Sequence, residues 1–523
     1  MKTFKYIFIL SAFVLGSCKD LLDVTPTDRI RTDVYWTTEA DAVYGASAVY
    51  TTLVENATHF ASWDGMTEIG YTHAPQSPES FILQGQFDAL NSRVYNDYTS
   101  LYTGVRAANT FLQNVGNIQG ANPATLTRLT GEVRVLRAYF YSRLVLLFGD
   151  VALVTEEIDI EQGTQLTRTP AAQVYDFMAI ELTQAADQLP VTAPEKGRVS
   201  KATALGLKAR VMLSAGRYQE AADAALAVMA MTQYGLYPTY KTLFTTAAEN
   251  SKEVLLDIQF VKGGVTNDIY NQLTPASVTA GKSTFVPTKI VVDSYYMTNG
   301  KPITDPTSGF DPKKPYLGRD PRLNYSVYVP GDLLPNAKAY NPLPNSATGD
   351  AVGSTFNVSP TGFTIKKYVN ADDVTTASAS GINFILLRYA EVLLTYAEAK
   401  VELDQVDQSV YDAIDAIRQR SDVMMPKVTA GQTQVTMRDI VRHERLVELA
   451  FEGQHYFDIR RWRTAENVMP GKVNGMTYVD TQGNLQTIEV PAWTNAWQSK
   501  NYLWPIPQLE RDMNTGLGQN PDW

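Results

Sequence analysis

The chain has 523 residues, of which 44% are hydrophobic, 11% aromatic and 19% charged, with a formal net charge of -10. That length buries about three quarters of the unfolded surface, and the apolar share excludes wholesale disorder. The acidic balance argues against nucleic acid as the main partner, because no basic excess is present to neutralise phosphates. The one cysteine, Cys18, rules out an intramolecular disulfide and a cysteine zinc site. The histidines are His59, His73, His443 and His455. His443-Glu444 fails as a zincin start because Val447 stands where the second histidine would be. Gly281-Lys282-Ser283 fails as a phosphate loop because Ala276 replaces its first glycine. No serine elbow or dinucleotide fingerprint appears.

At the N-terminus, Lys2 and Lys5 precede an apolar run from Tyr6 to Leu15. That run is too short to span about 30 Å of hydrocarbon. It ends in Leu15-Gly16-Ser17-Cys18, which resembles the bacterial lipobox. Residues 1–17 are therefore expected to be a signal peptide and Cys18 the lipidated first residue of the mature chain. One acyl chain binds membranes marginally, so firm anchoring takes more than one. No later run of 18 apolar residues follows, so the mature protein is expected to be tethered rather than inserted.

A first loop-rich stretch covers about 56–94. Helical periodicity then marks residues 134–148, followed by Gly149-Asp150, and a partner from Pro170 to Leu189, stopped by Pro190. Ala202, Leu205, Ala209, Met212 and Leu213 share one face; Ala215-Gly216-Arg217 turns the chain; Tyr218, Ala221, Ala225 and Met229 form the next face. This pattern resembles a tetratricopeptide unit. Between about 232 and 385 the chain is rich in Pro, Gly, Thr, Asn and Tyr, with short strand-like runs at 253–260 and 323–329. Residues 388–403 and 409–420 form another helix pair. A last loop-rich stretch, 470–507, carries Trp493, Trp497 and Trp504. The helical units are scattered, so they read as degenerate repeats in one large domain, not a regular solenoid. Long loops in such a frame are the first place to seek a ligand.

Several segments together resemble the SusD/RagB-type outer-membrane lipoproteins of the Bacteroidetes. These are Arg134 with Ala138-Tyr139-Phe140 and Phe148-Gly149-Asp150; Asp320-Pro321-Arg322-Leu323; and Leu387-Arg388-Tyr389-Ala390-Glu391 continuing to Ala399. They continue with Glu444-Arg445-Leu446-Val447-Glu448 through Gly453; Phe457-Asp458-Ile459-Arg460-Arg461-Trp462; and Leu503-Trp504-Pro505-Ile506-Pro507 with Asn514 and Gln519-Asn520-Pro521. They cover nearly the whole chain, in the expected order. The resemblance implies a mainly α fold with four tetratricopeptide-like helix pairs supporting a loop-rich ligand face with short strands. It divides residues 18–523 into a helical part at 18–231, a loop-rich insertion at 232–385 and a helical part at 386–523. It also implies binding of oligosaccharide, delivery to a SusC-like TonB-dependent β-barrel transporter, and no catalysis, cofactor or metal. Peptide binding, as in RagB-type members, is the alternative for the same architecture.

Glu444, Glu448 and Glu452 lie on one helical stripe. A glycosidase-type carboxylate pair is conceivable; ion pairing with Arg442, Arg445, Arg460 or Arg461 is the favoured reading. Tyr389, Tyr396 and Phe457 read as packing aromatics, and His443 and His455 as structural. Asp305, Ser308 and Asp311 offer calcium-type oxygens without the full ligand spacing, so a solvated loop is favoured. Sugars present flat C–H faces and a hydroxyl rim, which aromatic rings and polar side chains match. The expected ligand residues are Trp63, Asp64, Tyr71, Phe87, Arg93 and Tyr95 from the first part of the chain, and Tyr296, beside Tyr295, and Tyr316 from the middle.

Overall fold

The computed structural model describes residues 35–54, 62–74 and 76–523, with backbone alone at 54 and 491–493. The expected signal peptide, Cys18 and His59 lie outside the described residues. The frame is helical: α1 (Glu39–Val54), α2 (Ser92–Asn114), α3 (Pro123–Phe148), α4 (Ala171–Gln188), α5 (Lys201–Ser214), α6 (Tyr218–Met229), α7 (Tyr389–Glu402), α8 (Gln408–Arg418), α9 (Gln434–Leu449) and the short α10 (His455–Arg461). From α1 to α7 each helix packs on the next, and α7 then takes both α8 and α9. No described helix is long and apolar enough to cross a membrane.

Local chemistry sets these boundaries. Asn122 caps α3 by accepting from the Ala124 amide at 2.9 Å, and Pro123 fills the first turn, where its missing N–H costs nothing. The α5–α6 turn is a Schellman motif: the Arg217 amide donates to Met212 O at 2.9 Å and the Gly216 amide to Leu213 O at 3.1 Å, with Gly216 at φ 72°. Gly104 lets α2 lie against α3, since a Cβ there would sit 2.6 Å from the Phe140 ring. The expected pairs at 170–189, 202–229 and 388–420 are therefore present, and α3 starts earlier than its apolar periodicity suggested. α1 and α2 were not anticipated.

The strands are short and antiparallel: β1 (Gly70–Thr72) pairs with β3 (Phe285–Pro287), β2 (Val254–Ile258) with β6 (Phe384–Arg388), β4 (Val327–Tyr328) with β5 (Thr364–Ile365), and β7 (Gly471–Val479) with β8 (Leu485–Asn495). The expected strand at 253–260 is β2. Residues 323–329 divide between a helical turn and β4. The C-terminal part, read as helical, holds the long β7–β8 hairpin. β6 runs directly into α7, with Arg388 as both last strand residue and N-cap. One apolar core extends from Trp36 to Leu517.

The signature residues form a buried charge lattice. Arg388 donates from Nε to Glu452 at 2.6 Å and from Nη1 to Glu253 and Glu448, each at 2.8 Å. Arg420 reaches Glu253 at 2.7 Å and Glu448 at 3.1 Å. Arg322 reaches Glu444 at 2.6 Å, Glu448 at 3.0 Å and Asp320 at 2.8 Å, and Arg418 closes on Glu444 at 2.9 Å. Lys367 meets Glu452 at 2.7 Å. The glutamate stripe is ion-paired, as expected, but with these partners. Of the arginines expected from the neighbouring sequence, Arg445 and Arg461 bind Asp458 and Glu398, Arg460 donates to the carbonyl of Leu147, and Arg442 approaches Glu402. The stripe faces inward, so its partners come from other segments. Burial alone would raise the Glu448 carboxyl, but Arg388, Arg420 and Arg322 outweigh it and hold it well below the usual range. Burial pushes the Lys367 ammonium down to about 8 despite Glu452 beside it.

Removing one member strands its partners in a low dielectric. Glu448→Ala should lose about 3–5 kcal/mol of stability in urea unfolding at neutral pH. Glu489→Ala, which breaks the exposed Lys472–Glu489 pair, should lose less than about 1 kcal/mol. Equal losses would refute the central place of Glu448.

Candidate ligand-binding face

The three loop-rich stretches of the sequence meet on one face. β1 from the first stretch pairs with β3 from the middle, in register Tyr71 to Val286. The last stretch joins both: the Ala496 amide donates to Leu83 O at 3.3 Å, and the Met476 amide to Thr361 O at 2.8 Å. Beyond β1 the His73 amide donates to Thr284 O at 2.8 Å. The His73 ring nitrogen Nε2 donates to the Phe356 carbonyl, and the two rings lie 5.0 Å apart at 31°. Phe356 is 63% exposed. A large ring left in solvent while its backbone is pinned presents a fixed flat apolar surface. Burial pushes the His73 imidazole below its usual value despite the Phe356 carbonyl. A hydrogen-bonding edge adjoins it: Thr284 Oγ1 donates to Gln272 Oε1, and Gln272 Nε2 to Asp268, each at 2.6 Å. The arrangement suits a flat, uncharged, hydroxyl-rich ligand.

The residues expected from sequence divide into two groups. Trp63 is buried, stacked on Trp504 at 5.7 Å, near Phe457 at 4.9 Å, with the Arg93 guanidinium 4.5 Å from its ring. Its faces are therefore occupied by protein. Arg93 is not in a loop but in the first turn of α2, buried, and bonded to Asp97 at 2.6 Å, Ser62 at 2.7 Å and Glu79 at 3.1 Å. Phe87 packs on Trp523 at 4.8 Å, and Tyr71 lies under β1 with Leu83 and Ile459. Asp64 is buried and accepts from the Gly453 amide at 3.1 Å. These five support the face from beneath. Tyr95, Tyr296 and Tyr316 stay half-exposed. Tyr296 stacks on His443 at 3.9 Å and 20°, while the neighbouring Tyr295 is buried; Tyr316 sets its edge to Phe363. His443 is tied by Nε2 to Ser294 O at 2.8 Å, and in the 305–311 loop Asp305 and Asp311 accept from turn amides at 2.7 and 2.9 Å. Phe356 is not among the residues expected from the sequence. Its signal is a lone ring in the small, polar run Ser354-Thr355-Phe356-Asn357, with no periodic partner to bury it.

Three comparisons bear on identity. A family model described as the SusD family matches residues 252–523, and one described as starch-binding associating with outer membrane matches residues 22–213. A SusD-like protein of Formosa agariphila is 25% identical over 544 aligned positions, covering 99% of both chains. A solved SusD-like carbohydrate binding protein of Bacteroides fragilis is 28% identical with a TM-score of 0.84, covering 92% of this chain and 99% of that one. A second SusD-like structure from Bacteroides fragilis is 25% identical with a TM-score of 0.83, covering 95% and 100%. The chain belongs to the SusD family.

Beneath the face, His455 donates to Glu68 at 2.6 Å, beside Asp64. Burial raises the Asp64 carboxyl to about 6 against the pull of His455, and Glu68 raises His455 above its usual value against burial. Both folded-state values exceed the ordinary ones. Each group therefore stabilises the fold at low pH and loses that contribution as pH rises through its folded value. Urea unfolding should show Asp64→Asn gaining on the parent chain as pH rises from about 3 to 7, by up to about 3 kcal/mol for a shift of this size, most of it between about pH 4 and pH 6. A gain in the opposite direction would contradict the assignment.

Proposed function

We propose that the chain is a lipoprotein held at the outer membrane by Cys18 and facing the cell exterior. There it captures an oligosaccharide on the His73–Phe356 face and hands it, unaltered, to a SusC-like TonB-dependent β-barrel transporter. The observation that carries this reading is the near full-length likeness to a solved SusD-like carbohydrate binding protein, in sequence as well as in fold. The chemistry agrees with it. The C–H face of a sugar stacks on an exposed ring, and the hydroxyl, amide and carboxylate edge of Thr284, Gln272 and Asp268 pairs with its rim. Tyr95, Tyr296 and Tyr316 keep partly exposed rings and remain candidate contacts. Trp63, Asp64, Tyr71, Phe87 and Arg93 enter as the packing that fixes the face. Affinity at one such shallow site is modest, and a transporter beside it raises the effective concentration of cargo.

A glycan array, run beside a peptide library, identifies the ligand class. Phe356→Ala should then weaken the best glycan about five- to tenfold, the value of one stacked ring, with unfolding unchanged because the side chain is exposed. Binding of peptides alone would replace the glycan reading with the peptide one. New reducing ends on incubation with the glycan would overturn the non-catalytic role. Labelled palmitate should enter the mature chain and be lost in Cys18→Ser; no incorporation would remove the anchor.

A further inference from the structure

A second concavity lies along α2, apart from the ring face. At one end Glu156, Asp159 and Glu161 bound a space of about 620 Å³, and at the other Glu510 and Met513 bound about 390 Å³. Tyr102, Arg106, Ile160 and Leu166 line both, so the two form one groove. Its walls are braced from within. The Gln162 amide donates to Asp159 Oδ1 at 2.8 Å and the Asp159 amide to Gln162 Oε1 at 2.9 Å, a capping box that fixes the turn bearing Ile160. Asn514 Nδ2 donates to Leu166 O at 2.8 Å and to Gly163 O at 3.2 Å, tying that turn to the C-terminal segment.

Aliphatic side chains of this lining stand in solvent, Ile160 89% exposed and Met513 62%, and Leu509, next to the lining residue Glu510, is 55% exposed. Such a cluster beside a groove marks a surface that another molecule covers. None of these three is a ring, so the rim offers a sugar nothing to stack on, whereas aliphatic anchors and a channel suit a polypeptide. Charge gives the polypeptide a direction. The wide end carries Glu156, Glu157, Asp159 and Glu161 against Arg106 alone among its lining residues, while the narrow end sets Glu510 against the same arginine. Like-signed rim charges select an opposite partner and steer its approach.

We infer that this groove docks a protein partner, through a segment that lays basic side chains over Glu156–Glu161 and seats an aliphatic anchor between Ile160 and Met513. The inference goes beyond glycan capture and stands independently of it, since no groove residue named here belongs to the ring face.

The test is site-specific photocrosslinking of the full chain in its own outer membranes. A benzophenone amino acid replaces Leu509, and in a control replaces Leu226, which is exposed on α6. The expected result is an adduct from position 509 and none from 226, mapping by mass spectrometry to a peptide of another protein with Lys or Arg beside aliphatic residues. Glu156→Lys with Glu161→Lys should cut the adduct at least fivefold, as should Met513→Asp alone, each with parental glycan binding and circular dichroism. No adduct, an adduct indifferent to both variants, a partner peptide without basic residues, or an adduct to residues 19–34 of this same chain would overturn the inference.

Discussion

The fold turns on one carboxylate. Glu448 lies where Arg322, Arg388 and Arg420 converge, and each of those arginines reaches a further acid. Desolvating ions is expensive, and only near-complete pairing offsets the cost. Arg322, Arg388, Arg418, Arg420 and Lys367 meet Asp320, Glu253, Glu444, Glu448 and Glu452, so cations and anions balance. These groups come from the residue before β2, from the long middle stretch, from the β6–α7 junction, from the end of α8 and from α9 with the turn after it. A packing that displaced any one segment would leave a buried charge unmatched. The lattice therefore does for the long loops what an apolar stripe does for the helices: it gives them one place to lie.

A smaller cluster carries that order outward. Glu398 on α7 takes Arg461, Arg445 and the Trp462 indole, and Asp458 on α10 shares the two arginines. The turn between α9 and α10 then offers its Gly453 amide to Asp64, and His455 holds Glu68, so the segment leading into β1 is fixed from below. The aromatic pile of Trp63, Tyr456, Phe457 and Trp504 fills the space between. The exposed Phe356 ring meets this order through His73, which follows β1 and holds the Phe356 carbonyl.

How much of this the sequence discloses depends on whether a property is periodic. α5 and α6 are legible because alanine and leucine recur at helical spacing around a Gly216 turn. The shared stripe of Glu444 and Glu448 is legible for the same reason; that it faces inward is not. Their partners are not, because Arg322 and Arg388 are distant in sequence and only the tertiary fold brings them in. In α2, Val94, Tyr98, Leu101 and Val105 have helical spacing inside the part expected to be helical, but the asparagines, threonines and tyrosines among them dilute the apolar stripe, so the helix is not delimited. Ring density pointed to Trp63 and Phe87, yet density does not distinguish a ring that supports a surface from one that forms it. Burial is decided by neighbours such as Trp504 and Trp523, which arrive from the far end of the chain.

The passage of β6 into α7 at Arg388 has a mechanical corollary. With no slack between strand and helix, and the junction residue clamped on three carboxylates, a push on the loops is transmitted to the helical frame as through a solid beam. The molecule has little internal give along this line.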